Sequence, residues 1–339
     1  MPKTGSTRGS SASSRKAGSD GLIWANLIHL SYNMWWDRDV PESRSVARAH
    51  LVARPYLRCE SAFWDELVRR MVTAGVNMAV IDLGDAVKYE SHPEIAVRNA
   101  WTPTRLRRAL DRMRAVGIEP IPKLNFATTH DIWMGKYSRC VSTDTYYGVC
   151  RDLIAEVISL FDRPRFFHLG MDEETYDHQR HLRYVVIRQF DLWWEDLLFL
   201  VREVERGGAR AWVWSDPVWR QPDEFYRRMP RTVLQSNWYY GESFSRRIDY
   251  VRAFVDLDRN GYDQIPTGSN WASGVNFERM VRFCRRNLSA KRLLGFMQTT
   301  WMPTLQEFRR QHAEALHEVG AARRWWEARE KCRRPAGAR

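Results

Sequence analysis

Short apolar runs of β-type residues alternate with amphipathic stretches along most of the chain. We predict eight strands, at residues 22–30, 77–83, 118–125, 166–170, 209–214, 232–238, 264–268 and 293–300. The stretches between them repeat apolar residues every three to four positions, which is the period of a helix packed on one face. We predict eight helices, at residues 61–74, 104–116, 144–161, 178–205, 223–229, 243–258, 276–288 and 305–318.

This alternating order predicts the fold class. Strands that alternate with helices favour parallel pairing through right-handed crossovers. Eight such units in about 300 residues match an α/β protein of the (β/α)8 TIM barrel type. Pro103 and Pro222 stand near helix starts, and Gly75 and Gly117 follow helix ends, as those residue types prefer. A doubly wound open sheet is the alternative.

Composition divides the chain into three parts. Residues 1–20 are Ser, Gly and basic residues without periodicity and predict a disordered tail, residues 21–320 form the barrel domain, and residues 321–339 form a basic C-terminal segment. Of the net charge of +12, residues 1–20 carry +3 and residues 322–339 carry +5. The barrel is therefore only mildly basic, and we do not expect nucleic acid as a partner. Nucleic-acid binding through the two tails is the alternative.

Cysteine usage and missing motifs narrow the function further. The five cysteines are odd in number and lack a C-x-x-C pair, which favours a reducing, cytoplasmic setting. No apolar run approaches the roughly 18–20 residues of a membrane span, and no secretory signal is recognisable. Neither a dinucleotide fingerprint nor a phosphate-binding loop occurs, so no cofactor is expected. The sequence makes no prediction about oligomeric state.

Polar and aromatic residues concentrate where the predicted strands end. The chain has sixteen tryptophans, and their flat faces suit sugar rings or bases when they line a polar cleft. In a TIM barrel the carboxyl ends of the strands carry the catalytic groups. The candidate residues at those positions are Trp36, Asp85, Asn125, His130, His168, Asp172, Glu173, Trp214, Asp216, Trp238, Tyr239, Trp271 and Trp301.

Three adjacent acids, Asp172, Glu173 and Glu174, follow the fourth predicted strand. Their mutual repulsion in partly buried surroundings predicts that at least one has a raised pKa and holds a proton near neutral pH. Such a carboxylic acid can protonate a glycosidic oxygen as it leaves. A solvated surface loop is the alternative.

Six segments of the chain resemble, in order, the motifs of one known family. The segment from His168 to Glu173 resembles the family's H-x-G-G-D-E motif, and the segment from Pro122 to His130 is similar to P-E-I-D-x-P-G-H with one extra residue. Weaker likenesses to L-x-D-D, W-D-E, Q-x-W and G-x-Q-x-x-L-W occur at residues 83–85, 214–216, 235–238 and 295–301, in the family's order. Over about residues 21–305 the chain therefore resembles glycoside hydrolase family 20, the β-N-acetylhexosaminidases.

The resemblance implies a retaining hydrolase in which the 2-acetamido oxygen of the substrate attacks the anomeric carbon. It implies that Glu173 is the general acid and base and that Asp172 orients the acetamido group. Asp85 and His130 would form a polar network that tunes Glu173. The remaining implied roles are substrate contacts, with Trp214, Trp238 and Trp301 as walls of the sugar pocket.

The chain departs from the family pattern at substrate-fixing positions. The first predicted strand lacks the family's Arg, and Asn125 replaces the family's third-strand Asp. The sequence Trp271-Ala-Ser-Gly replaces W-Y-x-D, so the Tyr that binds the acetamido carbonyl is absent, and Tyr239 or Tyr240 are candidates to replace it. Acid catalysis is thus better supported than specificity for N-acetylhexosamine.

The departures keep other functions open. A carbohydrate-binding barrel with altered or lost catalysis is the main alternative. Cleavage of sugars without an acetamido group would need a second carboxylate, with Asp216 or Glu242 as candidates. The histidines show no ligand spacing, so no metal is expected. His178, on a charged predicted helix, is expected at the surface.

Overall fold

The computed structural model describes residues 21–45 and 47–333, and within them eight parallel strands form a barrel. The strands are β1 Ile23–His29, β2 Met78–Asp82, β3 Glu119–Lys123, β4 Phe166–His168, β5 Arg210–Trp214, β6 Leu234–Ser236, β7 Thr267–Ser269 and β8 Gly295–Thr299. They pair in the order β6-β5-β4-β3-β2-β1-β8-β7. The N–H groups of Ile265 and Thr267 donate to Gln235 and Asn237 at 2.9 Å, so β6 and β7 close the ring. The predicted TIM barrel is confirmed.

Helices surround the strands in the part of the chain that the structure describes. They are α1 Ser61–Ala74, α2 Pro103–Ala115, α3 Asp144–Leu160, α4 Tyr176–Gln179, α5 Phe190–Arg206, α6 Pro217–Arg220, α7 Pro222–Arg228, α8 Asp249–Arg259, α9 Asn276–Asn287 and α10 Arg309–Arg333. None of the described helices is long and apolar enough to cross a membrane.

The strands alternate between two apolar cores because successive side chains point to opposite faces. In β1, Ala25 and Leu27 belong to the cluster inside the barrel, whereas Trp24 and Ile28 belong to the larger cluster between strands and helices. Trp212 and Trp214 of β5 fill the interior from the other side. The interior of the barrel is thus filled by side chains, so a functional site must lie at one end of the barrel.

The predicted helix at 178–205 is wrong in its first half. The structure ends α4 at Gln179 and starts α5 at Phe190, with irregular backbone between them. The buried guanidinium of Arg188 draws this segment inward, since it pairs with Glu174 and with Asp196 and donates to the Phe126 carbonyl at 2.9 Å. Helical periodicity does not report such long-range pairing.

The C-terminal helix α10 crosses the predicted boundary at residue 320 without a break. Its Trp326 packs on Trp24 and Phe296, with ring centroids 6.5 and 5.5 Å apart. Residues 321–333 therefore continue the helical layer around the barrel. The predicted tail at residues 1–20 lies outside the described residues.

Candidate active site at the carboxyl ends of the strands

A cavity of about 500 Å³ opens at the carboxyl ends of the strands. Its walls combine aromatic rings with two carboxylates and a few other polar groups. The lining residues are Tyr32, Trp35, Ala47, Arg48, His50, Leu51, Asp172, Glu173, His178, Trp214, Trp238, Tyr240, Trp271, Trp301 and Met302. The predicted meeting of acids and tryptophans at one end of the barrel is present.

The loop after β4 aims its acids into this cavity. Three of its residues have left-handed backbones, with φ of 74° at Gly170, 73° at Met171 and 57° at Glu173. A Cβ on Gly170 would lie 1.9 Å from Asn125 Oδ1, so only glycine fits there. The strained conformation of Glu173 is of the kind found at functional sites.

His130 links the two acids of the motif. Its Nε2 lies 3.4 Å from Asp172 Oδ2 and 3.4 Å from Glu173 Oε2. The other oxygen of Asp172 accepts a hydrogen bond from Asn125 Nδ2 at 2.8 Å, and the other oxygen of Glu173 lies 3.3 Å from His178 Nε2. Each carboxylate is therefore held on both sides.

The charges in this cluster differ from the sequence prediction. Burial alone would raise the pKa of Glu173, but hydrogen bonds from His130 and His178 outweigh it and lower the pKa to about 2. Burial alone would lower the pKa of His130, but Asp172 and Glu173 raise it to about 10. Of the three acids among which a raised pKa was predicted, Glu173 has a lowered pKa instead, because the neighbouring imidazoles favour its charged form.

Asp216, at the end of β5, supports the loop from behind. Its Oδ2 accepts from the main-chain N–H of Glu173 at 3.0 Å, and its Oδ1 accepts from Trp238 Nε1 at 2.8 Å. Burial raises the pKa of Asp216 well above its usual range, and the charges of Asp172 and Glu173 raise it further. Asp216 thus holds both the backbone of Glu173 and the ring of Trp238 in place.

Aromatic rings form the walls around the acids. The rings of Trp214 and Trp301 lie 6.0 Å apart, and Trp301 Nε1 donates to the Tyr240 hydroxyl at 3.0 Å. Trp35 lies edge-on to His130, with ring centroids 4.7 Å apart. Trp271 stands at the mouth, where 66% of it is exposed. This geometry offers flat apolar faces beside a proton-carrying cluster.

At two positions predicted to contact substrate, the adjacent aromatic residue lines the cavity instead. Trp36 packs on His181 and lies outside the cavity, which Trp35 lines. Tyr239 packs on Phe244, with ring centroids 5.4 Å apart, while Tyr240 lines the cavity. The Trp-Trp and Tyr-Tyr pairs were visible in the sequence, but only the backbone path decides which member faces inward.

Asp85 and His168 occupy supporting positions. Asp85 accepts from Ser31 at 2.6 Å and from Asn33 at 2.8 Å, and among the described residues no hydrogen bond joins it to His130. The expected Asp85 to His130 network is therefore not formed. His168 lies beneath Trp214, with ring centroids 4.5 Å apart, and does not line the cavity.

Sequence reasoning also missed charged groups close to the acids. His178 is exposed, as expected, but its Nε2 also lies 3.3 Å from Glu173 Oε1, a contact that the sequence did not predict. Lys123 forms a fully buried ion pair with Asp82 in the barrel. The isolated Lys in an apolar strand was a usable signal for such a pair.

Glu242, a candidate for a second carboxylate, lies outside the cavity. It accepts a hydrogen bond from the Ser273 hydroxyl at 2.7 Å.

Comparisons with known proteins identify the fold. No family model matches the sequence, and no curated protein matches it. Among solved structures, a Streptomyces plicatus β-hexosaminidase mutant in complex with GlcNAc superimposes with a TM-score of 0.60 at 13% identity, over 91% of this chain and 66% of that one.

Two further solved structures have a similar fold. The β-N-acetylhexosaminidase of Streptomyces coelicolor A3(2), of glycoside hydrolase family 20, gives a TM-score of 0.57 at 12% identity, over 88% of this chain and 64% of that one. The pneumococcal virulence factor StrH, studied for N-glycan recognition and hydrolysis, gives a TM-score of 0.57 at 11% identity, over 94% of this chain and 89% of that one.

The fold and cavity define a TIM barrel with an acidic, aromatic-walled site. Its fold is similar to the barrels of glycoside hydrolase family 20, as the motifs predicted. The chain spans 64% and 66% of the two Streptomyces proteins, which are longer.

Proposed function

We propose that the protein is a retaining glycoside hydrolase that acts on an N-acetylhexosamine-type sugar with assistance from the substrate's acetamido group. The observation that carries the proposal is the cluster of buried His130 with Asp172 and Glu173, whose two acids line an aromatic cavity. The solved neighbours described as β-N-acetylhexosaminidases support the same chemistry.

Glu173 is the general acid in this proposal. Sugar binding displaces water from the cavity, which raises the pKa of Glu173. The proton on His130 Nε2 then passes to Glu173 Oε2, which lies 3.4 Å away. Glu173 donates this proton to the glycosidic oxygen, and the C–O bond breaks with release of an alcohol.

The substrate supplies the nucleophile. Its acetamido carbonyl oxygen attacks the anomeric carbon, and Asp172 accepts a hydrogen bond from the acetamido N–H. Tyr240 donates its hydroxyl proton to the carbonyl in place of the missing family Tyr, since Trp301 already occupies an acceptor position on that oxygen. Glu173 then removes a proton from water as water opens the cyclic intermediate, so the configuration is retained.

The test is an assay of Glu173→Gln on aryl glycosides with and without a 2-acetamido group. We expect turnover of the acetamido substrates only, and a loss of roughly 10²–10⁴-fold in kcat in the variant, which is the usual contribution of general acid catalysis. Glu242→Gln is the matched control, because this exposed acid lies outside the cavity. Equal turnover by Glu173→Gln and the parent would refute the role of Glu173.

A carbohydrate-binding barrel without catalysis is the second candidate. The observation that favours it is the resting state of Glu173, whose pKa is lowered to about 2 although burial opposes this, because His130 and His178 both contact it. This candidate predicts that the parent binds N-acetylglucosamine in calorimetry but turns over no glycoside in the same panel.

A further inference from the structure

Three possible metal-ligand atoms face one another in the cluster. His130 Nε2, Asp172 Oδ2 and Glu173 Oε2 all lie within 4.8 Å of one another, and the nitrogen is 3.4 Å from each oxygen. Ligand atoms about 2.0–2.1 Å from a tetrahedral zinc ion are separated by about 3.3–3.4 Å. The spacing of nitrogen to each oxygen is therefore that of zinc ligands.

The opposite side of each ligand is fixed by another group. His130 Nδ1 lies 3.4 Å from the Met34 carbonyl oxygen, Asp172 Oδ1 accepts from Asn125, and Glu173 Oε1 contacts His178. Metal ligands in proteins are oriented by such outer partners, and a backbone carbonyl on one imidazole nitrogen directs the other toward the metal.

The cluster also leaves a fourth position open. Asp172 and Glu173 line the cavity, so a bound ion would have water or an inhibitor on its free side. One imidazole and two carboxylates suit Zn²⁺, whereas Mg²⁺ demands octahedral oxygen coordination and keeps several waters. The ligand set therefore distinguishes between the two ions.

We propose that His130, Asp172 and Glu173 form an inhibitory Zn²⁺ site at the mouth of the barrel. A zinc ion bound there replaces the proton on His130 Nε2, which is released to solvent, and so prevents proton transfer from His130 to Glu173. The inhibition rests on the proposed function, but the binding of zinc does not.

Calorimetric titration of the chelator-treated full chain with ZnCl2 tests the site. We expect one ion per chain, a rise in Tm and a change in tryptophan fluorescence, because Trp35 lies against His130. MgCl2 at the same concentrations should cause none of these changes. His130→Asn and Glu173→Gln should each weaken zinc binding at least 10-fold, while His181→Asn and Glu242→Gln, outside the cluster, should bind as the parent does.

Crystals soaked in ZnCl2 give an independent reading in the parent protein, which does not depend on the folding of variants. We expect an anomalous peak about 2.0–2.2 Å from the three ligand atoms. Absence of such a peak, or zinc affinity unchanged in both cluster variants, overturns the site.

Activity assays separate this proposal from the proposed function. Zinc that lowers turnover of the parent supports inhibition, and zinc that raises it overturns inhibition in favour of a cofactor role. If no glycoside is turned over but zinc binds with the expected variant pattern, the proposed function fails and the zinc site stands.

Discussion

The carboxyl groups of Asp172 and Glu173 line the cavity, that of Asp216 lies behind their loop, and the three are held by different donors. Asn125 and His130 hold Asp172, two histidines hold Glu173, and a main-chain N–H with an indole holds Asp216. The two histidines lower the pKa of Glu173 against the effect of burial, whereas burial raises that of Asp216. The surroundings thus shift the pKa values of Glu173 and Asp216 in opposite directions.

Tyr240→Phe should lower kcat/KM for acetamido substrates by about 5–100-fold, because leaving the buried carbonyl oxygen without its donor costs about 1–3 kcal/mol. Tyr239→Phe is the matched control, since Tyr239 packs on Phe244 outside the cavity. Steady-state kinetics of both variants gives the comparison. Equal losses in the two variants would remove Tyr240 from the proposed mechanism.

Glu318→Gln should change how stability depends on pH. Burial raises the pKa of Glu318 to about 8, so the folded chain binds its proton more tightly than the unfolded chain. The stability contributed by this protonated acid is complete below about pH 4.5 and is lost as pH rises through about 8.

Urea unfolding of the parent and Glu318→Gln at pH 5 and pH 9 measures this effect. The variant keeps an acceptor for Gln298 Nε2, and its advantage should be larger at pH 9 by about 2 kcal/mol. Glu307→Gln, at an exposed position, should show no such change. Parallel pH curves for parent and Glu318→Gln would contradict the assignment.

At the level of elements, the acid cluster depends on the contact between the segment that follows β3 and the segment that follows β4. Gly170 lets the chain pass against Asn125, and Asn125 in turn holds Asp172. The position of the acids thus depends on a close backbone approach two residues before them.

Gly170→Ala should destabilise the protein by about 2 kcal/mol or more, since alanine is strained at a φ of 74° and its Cβ would overlap Asn125. Activity should fall together with stability, because Asn125 must move. Gly148→Ala in α3 is the control: the space there is open, and helix propensity predicts a gain of about 0.5–1 kcal/mol. Thermal unfolding of both variants checks this, and a neutral Gly170→Ala would show that the contact does not constrain the loop.

At the level of the whole molecule, α10 extends the outer layer past the predicted domain end. The half-buried Trp326 rests on Trp24 at the start of β1 and on Phe296 of β8. The two strands it covers pair directly with each other, so this contact supports the barrel at their junction.

Trp326→Ala should lower the free energy of unfolding by about 2 kcal/mol through the loss of apolar contact. Tyr184→Ala, at a position 70% exposed, should change it by less than about 0.5 kcal/mol. Chemical denaturation gives both values. If Trp326→Ala is neutral, residues 321–333 are energetically independent of the barrel.

Most of the barrel could be predicted, because strand and helix periods are local properties of the chain. The exception at residues 180–189 arises from Arg188, whose partners Glu174 and Asp196 lie 14 and 8 positions away. In the site, Asp172 and Glu173 were predicted from their position after a strand. The contact of His178 with Glu173 was not, because it depends on the irregular, partly left-handed backbone between β4 and α4.

The sequence by itself determined the parallel barrel, the end at which polar and aromatic groups meet, and the two acids of the motif, since alternation along a strand and order along the chain are one-dimensional. Only the tertiary structure decided that Trp35 and Tyr240, and not Trp36 and Tyr239, face the cavity. It also decided that the pKa of His130 is raised and that of Glu173 lowered. Charge interactions act through space between groups from different strands, so the location of a proton depends on the folded arrangement.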